Sequence, residues 1–267
     1  MTGPDPGPAA ERRHPPGPAP DWIESWYFDF ALADASLAGY VHLMLVPHAR
    51  TATYWAAVVG DGRPLLTLRD DEADLPRPPG LEVRSQGLWA DHVCETPNEH
   101  WTIGLEAFAI ALDDPEEAVR SERGDLVALG FDLEWEADGE PEPEQDGYRQ
   151  PCGVFGQVLI AAERLDVQAA GYRRHQWGRA RWPSRLAGRL DDGTWFAADD
   201  VGPPPGRLTV GQLDLDVAVR HRAPVLLSIT GAPPAPFPHA LCTVAGGDGR
   251  TGVAWAEWLS SPAEEAD

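Results

Sequence analysis

The stretch VALGFDLEWE (127–136) alternates apolar and acidic side chains with a period of two. Every second residue from Val127 to Trp135 is apolar, and the acidic side chains fall on the opposite face. Strict alternation of this kind is typical of an antiparallel strand with one buried face and one face in water. The stretch therefore predicts a sheet protein with an amphipathic strand at this position.

The same period recurs along the chain, and turn signals separate the runs. Further alternating runs are HWTIGLEAF (100–108) and GQLDLDVAVRH (211–221), with turn signals at GDGRP (60–64), LDDGT (190–194) and GGDGR (246–250). One segment, DDPEEAVRSERG (113–124), has the capping aspartate, early proline and final glycine of a short helix. We predict an all-β, mostly antiparallel fold with two consecutive lipocalin-like β-barrel or sandwich domains and one short helix.

Composition divides the chain into segments. Residues 1–20 are rich in proline and glycine and predict a disordered leader. Strand patterning over 21–136 predicts an N-terminal lipocalin-like β domain, and the acidic, proline-rich stretch 137–147 is typical of a linker. Patterning resumes over 148–260, which predicts a C-terminal lipocalin-like β domain ahead of an acidic tail, 261–267.

The charge of the chain argues against several partners. The formal net charge is −22, and all 21 basic residues are arginine. Nucleic acids and anionic membrane surfaces attract clustered positive charge, so we expect neither as a partner. The absence of lysine excludes a Schiff-base lysine and a phosphate-loop lysine. No stretch approaches the ~18 apolar residues of a membrane-spanning helix.

The cysteine and histidine spacings predict no cofactor. Three widely spaced cysteines form no C-x-x-C pair, which fits a reducing cytoplasm better than a disulfide framework. The histidines show none of the common metal-ligand spacings, and no nucleotide-binding glycine motif occurs. We therefore expect a cytoplasmic protein without a metal or an organic cofactor.

Acidic and aromatic residues cluster in DWIESWYFDF (21–30). In a strand, Glu24 shares one face with Trp26 and Phe28, and Tyr27 lies on the other face. A carboxylate buried between tryptophans loses hydration, which raises its pKa and suits it to act as a general acid. The alternative is that Glu24 points outward at a barrel mouth and binds a backbone amide.

A second cluster lies in GYRRHQWGRARW (171–182). Strand register places Arg173, His175 and Trp177 on one face and Arg174 on the other. An imidazole facing a cavity beside tryptophan can serve as an acid, a base or a hydrogen-bond donor. Two plainer alternatives remain: a solvated strand whose arginines pair with the many carboxylates, and a junction in which these residues lock two domains together.

One more histidine joins the candidates. His42 lies within GYVHLMLVP (39–47), and alternation places it on the same face as Tyr40 and Met44. We include it as a substrate-binding candidate in the interior. The alternative is a core histidine whose ring nitrogens are satisfied by the protein.

Five segments follow one another in an order that matches a known family. They are ESWYFDF (24–30), YRQPCGVFGQVLI (148–160), GYRRHQWGRARW (171–182), DDGTWF (191–196) and GVAWAEWL (252–259). This pattern resembles carotenoid 1,2-hydratase (hydroxyneurosporene synthase)-like proteins, their uncharacterised bacterial relatives and a set of β-barrel cyclases that includes fungal Diels–Alderases. The matching positions are Glu24, Trp26, Tyr27, Phe28, Gly171, Arg173, His175, Trp177, Gly178 and Trp182.

The resemblance implies a fold and a chemistry. It implies two lipocalin-like barrels with an apolar pocket for a terpenoid or polyketide-like molecule. It further implies acid-assisted hydration, cyclisation or isomerisation, with Glu24 as proton donor and His175 as its partner or base. The pocket wall and other substrate contacts would then come from Trp26, Tyr27, His42, Arg173, Trp177 and Trp182.

One departure from the family pattern limits this reading. Arg174 stands where the relatives carry an aspartate before the histidine. Arginine cannot act as a general acid near neutral pH. If that aspartate supplies the proton, Glu24 and His175 must carry the chemistry alone, or the chain is a non-catalytic carrier or sensor of an apolar ligand.

Overall fold

The computed structural model describes residues 6–120, 123–179, 181–182, 184–228 and 233–259. These residues form nineteen β-strands and two short 3₁₀ helices. The strands are β1 (Trp22–Ala31), β2 (Leu37–Val46), β3 (Thr51–Gly60), β4 (Leu65–Asp74), β5 (Val83–Ser85), β6 (Leu88–Thr96), β7 (His100–Leu112), β8 (Asp125–Ala137), β9 (Glu142–Glu144), β10 (Gly147–Ile160), β11 (Glu163–Arg179), β12 (Arg185–Leu190), β13 (Trp195–Asp199), β14 (Arg207–Val210), β15 (Leu213–Arg222), β16 (Val225–Leu227), β17 (Ala235–Phe237), β18 (His239–Gly246) and β19 (Thr251–Glu257).

The first eleven strands build a barrel. Neighbouring strands pair in the order β4-β3-β2-β1-β11-β10-β8-β7, and a short pairing of β7 with β4 closes the ring. Every pairing is antiparallel. β6 continues the sheet beside β7, β5 pairs with β6, and β9 pairs with β10. A barrel of eight strands is just wide enough for its inward side chains to fill it. Tryptophan, phenylalanine and aliphatic side chains occupy this interior as one core cluster.

The remaining strands form a second sheet that covers one side of the barrel. The order is β13-β12-β19-β18-β15-β14, with the hairpin β16–β17 beside it. A second core cluster joins the outward faces of β1, β2 and β3 to this sheet, with Tyr40, Trp55 and Trp255 among its members. All ten residues of β1 are therefore buried, because one face lies in the barrel and the other under the second sheet.

These strands confirm the predicted all-β, antiparallel fold class. The predicted helix over 113–124 is only a 3₁₀ turn, Pro115–Val119, and Asp114 caps it by accepting a hydrogen bond from the backbone N–H of Glu116. None of the helices in the described residues is long and apolar enough to cross a bilayer.

Two of the predicted boundaries need correction. Residues 137–147 do not separate the two sheets, because β9 lies within them and β10 and β11 continue the barrel. The change of sheet comes after Arg179, before β12 begins at Arg185. Residues 6–20 of the predicted leader lie against the barrel, with a 3₁₀ helix at Pro8–Glu11, whereas residues 1–5 and the predicted tail, 261–267, lie outside the described residues. The division into two domains stays a prediction.

A buried ion pair joins the two sheets. Arg174 on β11 points away from the barrel interior and binds both carboxylate oxygens of Glu257 on β19, one of them at 2.8 Å. Both side chains are buried, and the guanidinium also lies over the ring of Tyr27 at 4.2 Å. Arg185 Nε approaches the same carboxylate at 3.0 Å. Arg174, the residue that departs from the family pattern, thus forms an ion pair that links the two sheets.

The ion pair between Arg174 and Glu257 predicts how substitutions at these positions change the free energy of unfolding. The substitution Glu257→Gln leaves the Arg174 guanidinium buried without its counterion, which we expect to cost about 3–5 kcal/mol of unfolding free energy. Urea unfolding followed by tryptophan fluorescence measures this loss. The double variant Arg174→Met/Glu257→Leu removes both charges together and should recover most of it. Wild-type stability of the Glu257→Gln variant would contradict the assignment.

Candidate functional site

The site lies at one end of the barrel, where β1 and β11 run side by side. Trp26 pairs with His175 in the strand register, and Glu24 pairs with Trp177. The side chains of Glu24 and His175 both point into the barrel, and each is 1% exposed. Residues 6–20 cross this end of the barrel and bring His14 to the same carboxylate.

One oxygen of Glu24 is the centre of the cluster. Its Oε1 lies 3.0 Å from Nε2 of His175 and 2.8 Å from Nδ1 of His14. The backbone N–H of His14 donates a third hydrogen bond to the same oxygen at 2.8 Å. A carboxylate that accepts three hydrogen bonds is held in its ionised form.

The pKa shifts follow from these contacts. Burial alone would raise the pKa of Glu24, but the hydrogen bonds from His14 and His175 outweigh it and hold the pKa below its ordinary value. Burial lowers the pKa of His175 below its ordinary value of 6.5, although Glu24 opposes the change. The resting state near neutral pH is therefore an ionised Glu24 beside a neutral His175. The expectation that Glu24 has a raised pKa is wrong, and its catalytic role stays a prediction.

This charge state fixes the tautomer of His175. An ionised carboxylate only accepts hydrogen bonds, so the Nε2 atom that faces Glu24 carries the ring proton. The other ring nitrogen, Nδ1, then carries a lone pair, and it is buried without a partner among the described residues. A carboxylate that orients one nitrogen of an imidazole and leaves the other free is the arrangement of a general base.

Aromatic rings surround the imidazole. The indole of Trp26 stacks on His175, with 4.4 Å between ring centroids, and its own Nε1 is buried without a partner among the described residues. His14 stacks on Trp177 at 3.9 Å. Tyr148 meets His175 edge-on at 5.9 Å. The dyad of Glu24 and His175 thus lies in an aromatic shell with one free acceptor and one free donor.

Two glycines allow the strands to approach this closely. A side chain at Gly171 would place its Cβ 1.9 Å from the backbone oxygen of Asp29, so only glycine lets β1 lie against β11 there. A Cβ at Gly147 would lie 2.1 Å from the backbone oxygen of His175, and its φ of +153° is one that side chains rarely adopt. Both positions fix the backbone next to the site residues.

Beside the dyad lies a second buried charge. Arg173 faces the same interior two residues before His175 and binds the carboxylate of Glu11, with Nη2 to Oε1 at 2.6 Å. It also donates to the phenol oxygen of Tyr148 at 3.1 Å and to the side-chain oxygen of Gln150. Burial would raise the pKa of Glu11, but Arg173 outweighs it and holds that pKa below its ordinary value.

The structure separates the predicted site residues into two groups. Five of them lie together on the inward face: Glu24, Trp26, Arg173, His175 and Trp177. The other three lie on the outward face, between the barrel and the second sheet, where the ring of His42 contacts the rings of both Tyr27 and Trp182. Tyr27 and His42 cannot line the same cavity as the dyad, because alternate residues of a strand point to opposite faces. Trp182, in the loop after β11, packs against them.

The sequence interpretation missed three members of the site. His14 and Glu11 belong to the proline-rich segment that composition predicted to be disordered. Tyr148 lies where the linker was expected to end. Apart from the match of 148–160 to the family pattern, nothing in their sequence surroundings marks them, because each is brought in by tertiary contact.

The trio of His14, Glu24 and His175 also has the composition of a metal site. Their ligand atoms lie within 4.8 Å of one another, and two histidines with one carboxylate suit divalent transition metals. A histidine that binds a metal normally donates its other N–H to an acceptor. Nδ1 of His175 has none among the described residues, so the geometry favours a base over a metal ligand.

Open space near the site lies outside the barrel. A cleft of about 560 Å³ is lined by residues of β9, β11 and the loops beside them, together with the facing ends of β12 and β13, and it reaches Trp177 from outside. A second cleft of about 460 Å³ lies between the other end of the barrel and the second sheet. The inward residues themselves are packed as a core, and the segment that carries His14, whose side chain is 24% exposed, covers the dyad.

The comparisons with known proteins concern family and fold. A family model described as a domain of unknown function, DUF7064, matches residues 7–216. Kievitone hydratase from Nectria haematococca is similar in structure, with a TM-score of 0.54, 11% identity and 89% of each chain covered. CghA has a TM-score of 0.50 and 12% identity, over 91% of this chain and 89% of that one. No curated protein sequence matches the chain. At these identities the two structures show the barrel fold alone.

The protonation state of His175 can be measured directly. We expect its carbon-13 labelled ring to titrate below pH 6.5 in an NMR experiment, and lower still in the Glu24→Gln variant, which lacks the ionised partner. Because His175 is buried in its neutral form, its contribution to stability is present above pH 6.5 and is lost as the pH falls through the folded pKa. A titration above pH 6.5 would contradict the neutral dyad.

Proposed function

The chain belongs to the DUF7064 family, and we propose that it is an acid–base enzyme that hydrates, cyclises or isomerises an apolar small molecule at the dyad of Glu24 and His175. The observation that carries the proposal is the free Nδ1 of a neutral, fully buried His175 whose other nitrogen is held by a carboxylate. Buried polar atoms are normally paired, so an unpaired one in an aromatic shell is a candidate contact for a substrate.

The proposed reaction begins with proton transfer to Nδ1. His175 takes a proton from the substrate or from a water molecule, and the imidazolium that forms is stabilised by the ionised Glu24. In an isomerisation or ring closure, the same proton returns to another carbon of the substrate. In a hydration, the hydroxide left by the water bonds to a carbon–carbon double bond, and His175 returns the proton to the neighbouring carbon.

This chemistry selects the kind of double bond. A hydroxide adds to a double bond that is conjugated to a carbonyl group, because the carbonyl oxygen takes up the charge. The unpartnered Nε1–H of Trp26, stacked on His175, is a donor of the kind that stabilises such an oxygen. Protonation of an isolated isoprenoid double bond needs a strong acid, and an ionised Glu24 beside a neutral His175 does not supply one. The carotenoid-hydratase reaction implied by the resemblance is therefore less well supported than base catalysis.

A non-catalytic carrier or sensor is the competing function. It was motivated by Arg174 in place of the family aspartate, but that side chain points away from the dyad and binds Glu257. The substitution thus removes no group that faces Glu24 or His175.

A substrate screen tests the enzyme reading. The full-length protein is incubated with a panel of apolar conjugated ketones and acids in deuterated water, and mass spectrometry detects added water or incorporated deuterium. For any converted compound, His175→Ala should lower the rate by about 10²–10⁴-fold, the range expected for loss of a general base. Glu24→Gln should lower it as well, because the imidazolium loses its counterion.

The matched control is His239→Gln. His239 is as deeply buried as His175, but it lies on β18 in the second sheet. We expect this variant to keep the wild-type rate. Unchanged product formation in both His175→Ala and Glu24→Gln would refute the dyad. A bound and chemically unaltered lipid in the native mass spectrum, with no turnover of the panel, would favour the carrier.

A further inference from the structure

The carboxylate of Glu11 occupies a pocket built around it. Oε1 accepts hydrogen bonds from Nη2 of Arg173 at 2.6 Å and from the backbone N–H of Asn98 at 2.7 Å. Oε2 accepts from the phenol of Tyr148 at 2.6 Å, from Nη1 of Arg173 at 3.1 Å and from Nε1 of Trp101 at 3.2 Å. Five donors therefore saturate the roughly four lone-pair positions of one carboxylate.

The side chains that donate these hydrogen bonds belong to strands of the barrel, whereas the carboxylate belongs to the segment before β1. Trp101 lies on β7, Tyr148 on β10 and Arg173 on β11, and all three are at most 2% exposed. Glu11 belongs to the segment before β1, which adds no strand to either sheet. The barrel thus presents a preformed receptor for a carboxylate, and a piece of flanking chain fills it.

We propose that this pocket is the binding site for the carboxylate of the substrate, and that Glu11 holds its place until the segment carrying it is displaced. The inference rests on the proposed function, since it names the substrate class of the same site: apolar molecules that carry a carboxylate. The segment has two anchors in the site, Glu11 on Arg173 and His14 on Glu24. Its departure would uncover the pocket and the dyad together, and the hydrogen bond from His175 would then be the contact that keeps Glu24 ionised.

The strand geometry sets the distance between the two parts of such a substrate. Arg173 and His175 are two residues apart on the same face of β11, and a strand advances about 3.3 Å per residue. The two side chains therefore leave the strand roughly 7 Å apart on one face, so that a single substrate molecule can contact both. The rings of Trp101, Tyr148 and Trp177, which the segment now covers, would contact the apolar body between them.

The Glu11 carboxylate competes with the carboxylate of an external ligand and so lowers the apparent affinity of the pocket for that ligand. An external ligand binds only to the fraction of molecules in which the pocket is open, so weakening the hold of Glu11 should strengthen ligand binding. A neutral ligand gains nothing comparable, because it leaves the Arg173 guanidinium buried without a counterion, bonded only to the neutral side chains of Tyr148 and Gln150.

The test uses full-length Glu11→Ala and dodecanoate, with dodecanol as the uncharged probe of equal chain length. Isothermal titration calorimetry below the micelle concentration should show dodecanoate binding at least about tenfold more tightly to Glu11→Ala than to the wild type, and at least about tenfold more tightly than dodecanol. Adding Arg173→Met to the variant should remove the preference. Acetate, and not acetamide, should raise the melting temperature of Glu11→Ala.

A second variant covers the case in which Glu11→Ala does not fold. Glu11→Gln keeps the shape of the side chain and loses its charge, so it should fold and still release the pocket more readily than the wild type. Equal binding of dodecanoate and dodecanol by the folded variants, or binding no tighter than to the wild type, would overturn the proposal.

The outcome is independent of the proposed chemistry. His175→Ala in the full chain should keep the preference for dodecanoate even though it lacks the base. Carboxylate binding without turnover of any compound would support the carboxylate pocket and contradict the proposed enzymatic function. Turnover of uncharged compounds without a preference for carboxylates would support the enzymatic function and contradict the carboxylate pocket.

Discussion

The pairing of β1 with β11 is the constraint on which both halves of the structure depend. All of β1 is buried over this contact, and β11 is buried on both faces from Gly171 to His175, so alternate residues serve two different cores. The inward residues Glu24 and His175 form the dyad inside the barrel, whereas the outward residue Arg174 binds Glu257 in the second sheet. A shift of one residue in the pairing would exchange these faces and place the ion pair in the barrel and the dyad between the sheets. The glycine at 171, which lets the two backbones meet, is therefore as important to the site as its polar residues.

Much of the fold could be predicted from the period of the sequence, and so could part of the site. Alternation in 127–136 and in similar runs gave antiparallel strands, and the register of 171–182 correctly separated Arg173 and His175 from Arg174. Alternation does not say which face of a doubly buried strand points into a barrel. For that reason Tyr27 and His42 were grouped with the dyad, although both lie on the outer face. Pairings between distant strands, such as the closure of β4 on β7, leave no local mark either.

The segment before β1 shows why composition wrongly predicted disorder for residues that contact the candidate site. Proline and glycine make regular structure unfavourable, and a segment of this composition buries too little apolar surface to fold by itself. Its position is fixed instead by polar contacts with the rest of the chain, among them Glu11 on Arg173, His14 on Glu24 and Arg13 on the backbone oxygen of Pro76. The same reasoning accounts for the charge of Glu24. A carboxylate between tryptophans was expected to have a raised pKa. The two imidazoles that keep it ionised come from His14, in the segment predicted to be disordered, and from His175, 151 residues away in the sequence.

The overall charge of −22 decides where recognition of an anionic ligand can arise. Such a field repels carboxylates at a distance, so long-range steering cannot bring them to the barrel, and association should be slow at low ionic strength. At physiological ionic strength the field is screened within about 8 Å, and only groups at contact distance act on the ligand. Arg173 acts at that range, in a pocket where an unpaired guanidinium is costly. Selectivity would then come less from attraction of the correct ligand than from the free-energy penalty on any ligand that leaves Arg173 without a counterion. A buried charge discriminates in this way between ligands of similar size.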